Sequence, residues 1–157
     1  MSEERFNWKT FTRLEKRHNP GEEPYEIVEV KGNLGLEGGF NYLWNVIGGA
    51  TANTFNTANA ILFVGNGTQA ANATQTALQG ASFYGMAMAS THPSISAAKI
   101  YFKGLAASDA ANFAWAEWAA GRGNATTQEV LLNRKVEALG TKSSGEWTLE
   151  VYLELGN

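Results

Sequence analysis

Between Glu146 and Leu155 apolar and polar residues alternate without a break. Trp147, Leu149, Val151, Leu153 and Leu155 fall on one side; Glu146, Thr148, Glu150, Tyr152 and Glu154 fall on the other. Successive side chains of a strand point to opposite faces, whereas a helix would spread those five apolar residues around its circumference. The stretch predicts a half-buried strand with one dry face and one wet, acidic face, and hence an antiparallel sheet or barrel. Its three Glu read as a solvated surface with no chemistry of their own.

The same reading gives strands at Tyr25–Val30, Phe83–Ala89, Ala98–Leu105 and Val130–Val136. Phe113–Trp118 is ambiguous, since its alanines favour helix, but the Phe113/Trp115 alternation decides for strand. Ala60–Val64 is a continuous apolar run, as expected of a strand buried on both faces. Gly65-Asn66-Gly67 after it reads as a turn needing positive φ. Leu36, Phe40, Leu43, Trp44 and Ile47 recur at helical spacing and stop at Gly48-Gly49, so Gly38–Ile47 is expected to be a short helix plugging one face of the sheet, its aromatic stripe in the core. Thr68–Gln79 is open between a helical turn and a loop. Gly121–Asn124 and Gly140–Gly145 read as loops. Turn signals every 8–15 residues predict a mainly β protein: an antiparallel β-barrel or sandwich with one short helix.

Residues 1–24 follow neither period. Charges are dense and mixed, and Pro20-Gly21 and Pro24 punctuate the end, yet Phe6, Trp8, Phe11 and Leu14 are embedded there. Either this extended N-terminal arm folds back on its own β domain (25–157), or it docks on a neighbouring subunit and gains area by wrapping. The second reading is preferred, which makes Phe6, Trp8, Phe11 and Leu14 the candidate contacts with a neighbouring subunit.

Charge sharpens the picture. Residues 1–31 hold six Lys/Arg and seven Glu, while residues 32–98 hold a single charge, Glu37. A long neutral stretch of Ala, Gly, Asn and Thr suits a surface packed against other protein, where desolvating charges would be costly. The 157 residues suffice for one domain with a real core, and there are no cysteines for disulfides or thiolate metal sites. The net charge of −3 argues against a generic nucleic-acid partner. No signal peptide or membrane-spanning helix is expected.

Catalytic material is sparse: two histidines, one aspartate (Asp109), no Gly-x-Ser-x-Gly and no His-Glu-x-x-His. His18 and His92 read as solvated. Gly65-Asn66-Gly67 lacks the Lys-Ser/Thr of a phosphate loop. Glu37 and Glu117, beside aromatic residues, are the carboxylates that could serve glycoside hydrolysis. Glu117 is better read as an outward strand residue or a paired interface charge. The sequons at Asn66, Asn72 and Asn124 read as accidents of an Asn/Thr-rich chain. No enzyme, no cofactor and no metal site is expected.

Several phrases in order carry a resemblance: Leu34-Gly-Leu-Glu-Gly-Gly-Phe-Asn-Tyr-Leu-Trp44, Thr54-Phe-Asn-Thr-Ala-Asn-Ala-Ile-Leu-Phe-Val-Gly65, Ala73-Thr-Gln-Thr-Ala-Leu-Gln-Gly80, Ser108-Asp-Ala-Ala-Asn-Phe-Ala-Trp-Ala-Glu-Trp118, and Leu132-Asn-Arg-Lys-Val136 with Leu139-Gly-Thr-Lys142. Together, over about residues 33–155, they resemble small virion proteins of tailed bacteriophages. The chain resembles in particular the capsid decoration proteins of thermophilic siphophages, β-barrel subunits that trimerise on the shell and reach neighbours with an N-terminal arm. That resemblance implies a non-enzymatic structural protein, made in the host cytoplasm and carried on the capsid surface. Its partners would be itself, as a homotrimer, and the major capsid protein, with no nucleic acid and no membrane. Two alternatives stay open. Gly65–Gly67, Thr76–Leu78, Lys99–Phe102 and Asn112–Trp115 also look like the attachment domain of a tail fibre, implying a tail-fibre or baseplate adaptor. A carbohydrate-binding module would use Trp118 and Tyr152 as sugar platforms.

Overall fold

The computed structural model describes residues 7–156. Among the described residues eleven strands and one helix are present, the strands forming two antiparallel sheets packed face to face, a β-sandwich. The first sheet has the order β2 (Glu26–Lys31), β1 (Asn7–Arg17), β11 (Glu146–Gly156), β7 (Lys99–Ala106), β6 (Ser94–Ser96). The second runs β3 (Leu34–Gly35), β10 (Asn133–Thr141), β8 (Ala114–Asn124), β4 (Ala60–Gly65), β5 (Phe83–Ala87), with β9 (Thr127–Leu131) pairing the far half of β8. At one corner the chain after β5 bridges to β7 through Met88 and Gly104. The expected β architecture is thus present, as a sandwich rather than a closed barrel.

The alternating strand β11 lies inside the first sheet, between β1 and β7. Trp147, Leu149, Val151 and Leu153 are buried between the sheets, while Leu155 is 40% exposed. Facing them from the second sheet are Ala60, Leu62, Val64, Met86, Trp118 and Ala120. The run Ala60–Gly65 is buried on both faces, as its unbroken apolarity implies. Its outward residues Ile61 and Phe63 meet a second cluster of Leu36, Leu78, Ala119 and Leu131 beneath the long 66–82 segment. That segment is loop.

The N-terminal arm is corrected. Residues 7–17 are strand β1, paired with β11 from Asn7–Gly156 to Arg17–Glu146 and with β2 on its other edge. Leu14 is fully buried in the chain's own core, so it makes no contact with a neighbour. Phe11 points to the outer face and stacks on Tyr152, ring centroids 5.4 Å apart. Phe6 lies outside the described residues. The boundary between a 1–24 arm and a 25–157 domain disappears, because β1 supplies an interior strand of the first sheet.

Three smaller differences have local causes. Gly121–Asn124 is the second half of β8, where Gly121 gives β9 close approach to the strand. Val130–Val136 is broken into β9 and β10 at Leu132, whose amide bonds the Ala120 carbonyl. Gly65 and Gly67 do not have positive φ. They are needed for space instead, because a Cβ on either would collide with the Glu117 carboxylate.

Candidate functional site

The carboxylates and histidines weighed as chemistry are occupied in other ways. Glu117 is fully buried, and its side chain faces the 66–82 loop. Its Oε1 accepts the amides of Gly67 (3.0 Å) and Gly80 (2.7 Å), and its Oε2 accepts that of Gln79 (3.0 Å). Arg134, also fully buried, donates from Nε to Oε2 at 2.8 Å, with Nη2 at 2.7 Å from the same oxygen. Arg134 Nη1 goes on to Gln75 Oε1 at 2.9 Å. Three amides and a guanidinium use up the lone pairs of this carboxylate. Its geometry is that of a clamp holding the loop on the sheet. The reading of Glu117 as an outward residue is corrected; it is a charge paired within its own chain.

Glu37 sits exposed in the first turn of helix α1 (Glu37–Ile47), where a negative charge suits the helix dipole. His18 stacks on Tyr25 at 4.2 Å; His92 has Nδ1 3.2 Å from the Ser90 carbonyl, and its own carbonyl accepts from Thr57 Oγ1 at 2.7 Å. Lys142 is buried and donates to the Ala107 and Ala110 carbonyls and to Asn112 Oδ1, tying the turn before β8. Burial pushes its ammonium below the usual lysine range. Two sequons are turn chemistry: Asn72 Oδ1 accepts from Thr74, and Asn124 Oδ1 from Thr126, through backbone amide and hydroxyl alike.

A second candidate is an apolar surface around helix α1. Helix α1 begins after the buried Leu36 and ends where Gly48 donates to the Trp44 carbonyl and Gly49, at φ +72°, to that of Val46. Gly39 is its one buried residue. A Cβ there would stand 2.6 Å from Leu131 O and Leu132 Cα, so only glycine lets the helix rest on the β9–β10 junction. The apolar stripe is thereby turned toward one end of the sandwich. Phe40 meets Trp8 edge-on at 5.1 Å, and Trp8 Nε1 is satisfied by Asn33 Oδ1 at 3.2 Å. Beyond them Trp44 and Ile47 stand 69% and 74% exposed. The stripe is therefore core only at its base, which corrects the expectation of a helix plug.

Two hollows flank the stripe. One of about 380 Å³ is lined by Trp8, Phe40, Leu43, Trp44, Ile47 and Leu155. The other, about 280 Å³, shares Trp8, Leu43 and Leu155 and continues to Phe55, Ile95 and Ile100. Ile95, on the edge strand β6, is 81% exposed. Together these residues make one continuous apolar face across the end where β1 starts and β11 finishes. Among the described lining residues Lys99 is the one that carries charge; its ammonium turns away over the Tyr152 ring at 4.9 Å and pairs with Glu154 at 3.9 Å. Isolated exposed apolar residues are ordinary; a contiguous face with a tryptophan on it marks an interaction site.

Of the contact residues named from the sequence, Phe6 lies outside the described residues, and among Trp8, Phe11 and Leu14 only Trp8 is placed in this face. The other members were legible only as core, because a helical apolar period reports that a stripe will be buried and not by what. Of the two sugar platforms considered, Trp118 is fully buried and donates to Thr12 Oγ1 at 3.0 Å, which removes it. Tyr152 is wedged between Phe11 and Tyr101 on the outer face of the first sheet. No family model matches this chain, and no curated protein or solved structure matches it either.

Proposed function

We propose that the chain is a non-enzymatic structural subunit of a tailed-phage virion. It binds the outside of the capsid as an oligomer, a trimer in keeping with the resemblance, and stabilises the expanded shell. Its partners are further copies of itself and the major capsid protein. The observation that carries the reading is the contiguous apolar face of α1, Trp8, Ile95 and Leu155, with the exposed Trp44 standing on it, a patch of the kind that is often an interaction site. This face takes the place of the N-terminal arm as the assembly element. The mechanism is mass action: a ligand that binds only the expanded lattice stabilises that lattice, and linked subunits multiply modest contacts.

The test is co-sedimentation of the purified protein with expanded shells and with unexpanded precursors from the same genome. Saturable binding to the expanded form, with little to the precursor, is expected. Equal binding to both, or binding to neither, refutes the shell-stabilising role. Co-purification with tails instead of heads would replace it with the tail-adaptor reading.

A further inference from the structure

We infer that the apolar end face is covered by a second copy of this chain, with Trp44 of one copy seated in the hollow beside α1 of its neighbour. The inference rests on the assembly reading above and names the occupant of that same face.

Three observations favour a copy over an unrelated partner. The face carries both halves of a joint. Trp44 and Ile47 project at 69% and 74% exposure, and beside them lie hollows of about 380 and 280 Å³ with almost wholly apolar walls. A knob and a hollow on one surface let the knob of one copy fill the hollow of the next, in a twofold pair or around a closed ring. A tryptophan in an apolar pocket is also the commonest kind of interface anchor.

Charge is the second argument. Symmetry brings like groups toward like groups, so charges near the axis would repel. Among the described residues lining the two hollows Lys99 alone is charged, and its ammonium lies over the Tyr152 ring at 4.9 Å and 3.9 Å from Glu154, a pair that is neutral as a unit. A partner selected by charge would have left a complementary charge here.

Size is the third. Trp44 at 69% exposure offers on the order of 170 Å² of surface. With Ile47, Ile95, Leu155 and the hollow walls the face falls among patches of about 300–600 Å². Two such faces bury roughly 1,000 Å² in all, the lower end of specific interfaces. The association is therefore weak in free solution and becomes firm where a lattice holds the copies close together.

The experiment is sedimentation velocity of the full chain from about 1 to 200 µM, a span chosen for the micromolar affinities of small interfaces. The mass should rise with concentration from the 17.0 kDa of one chain to a small multiple of it. Trp44→Ser should shift that rise at least tenfold upward in concentration, and Trp44→Phe should largely keep it. Because Trp44 is mostly exposed in the single chain, both variants should melt within a few degrees of the parent. A parent that stays at 17.0 kDa throughout, or a Trp44→Ser chain that associates as strongly as the parent, overturns the inference. If the parent stays single yet still loads expanded shells, the inference fails and the virion reading stands. If it associates through Trp44 but ignores shells, the outcome is the reverse.

Discussion

Replacing Glu117 by glutamine tests whether one buried carboxylate holds the 66–82 loop. The side chain keeps its length and one carbonyl oxygen, but it loses its charge, and its new NH₂ opposes the donors of Arg134. That guanidinium is fully buried and sits 2.7–2.8 Å from Oε2, so the substitution strands an unpaired cation in the interior. Breaking a buried pair in this way costs about 3–5 kcal/mol. A domain of this kind has about 5–15 kcal/mol in all. At roughly 2–4 °C per kcal/mol for this length, the melting temperature should fall by about 6–20 °C. Arg134→Met should cost less. It leaves the carboxylate with the amides of Gly67, Gln79 and Gly80, each a hydrogen bond to a charged acceptor worth about 1.5–3 kcal/mol. Denaturant titration gives the ordering, and hydrogen exchange at those three amides reports the loop itself. They should lose protection in Glu117→Gln and keep most of it in Arg134→Met. If Glu117→Gln costs under about 1 kcal/mol and the amides stay protected, the clamp is not what docks the loop.

Two other predictions concern β1. Deleting residues 1–20 removes an interior strand with the fully buried Leu14, so the product should show no cooperative unfolding by circular dichroism; a folded truncated domain would mean that β1 is dispensable. Hydrogen bonds from Arg17, with a further one from Arg13, hold the Glu15 carboxyl below its ordinary value of 4.5 despite partial burial. A lowered folded-state value gives stability that is complete above the unfolded value and lost as pH falls through the folded one. Part of the acid destabilisation below about pH 4.5 should therefore vanish in Glu15→Gln. Unfolding midpoints from pH 7 to 2.5 measure it, and parallel curves for parent and variant would refute it.

Much of the sandwich was legible because period-2 alternation survives wherever one face is dry: β11, β5 and β7 carry it, and β4 shows the unbroken run of a doubly covered strand. β1 hid because its inward positions are Trp8, Thr10, Thr12, Leu14 and Lys16, three of the five polar. Two of the three polar members are made acceptable by residues outside the strand, while the buried Thr10 Oγ1 has no hydrogen-bond partner. Thr12 Oγ1 takes the indole proton of Trp118, and the Lys16 ammonium lies over the Trp147 ring at 4.6 Å while pairing with Glu26 at 3.0 Å. No window of β1 alone contains those partners. Glu117 escaped for the same reason, since its three amides come from 37 to 50 residues upstream.

The helix α1 differs in kind. Its period was read correctly and its extent nearly so, yet the conclusion that the stripe belongs to the core holds for Leu36 and in part for Leu43 and fails at Trp44 and Ile47. An apolar period states that a face gains by leaving water; it does not name the chain that removes the water. In β11 the covering surface is the second sheet of the same molecule. In α1, Gly39 brings the helix down onto the Leu131–Leu132 backbone at its N-terminal end, and the described residues leave Trp44 and Ile47 69% and 74% exposed. About 25 cal/mol per Å² of apolar surface leaves Trp44 alone with several kcal/mol to gain by contact. Selection for a soluble single chain would readily replace such a residue by a polar one at an exposed helical position. A tryptophan standing there, in a stretch from which charge has been almost excluded, is accounted for when the burial it calls for takes place between molecules.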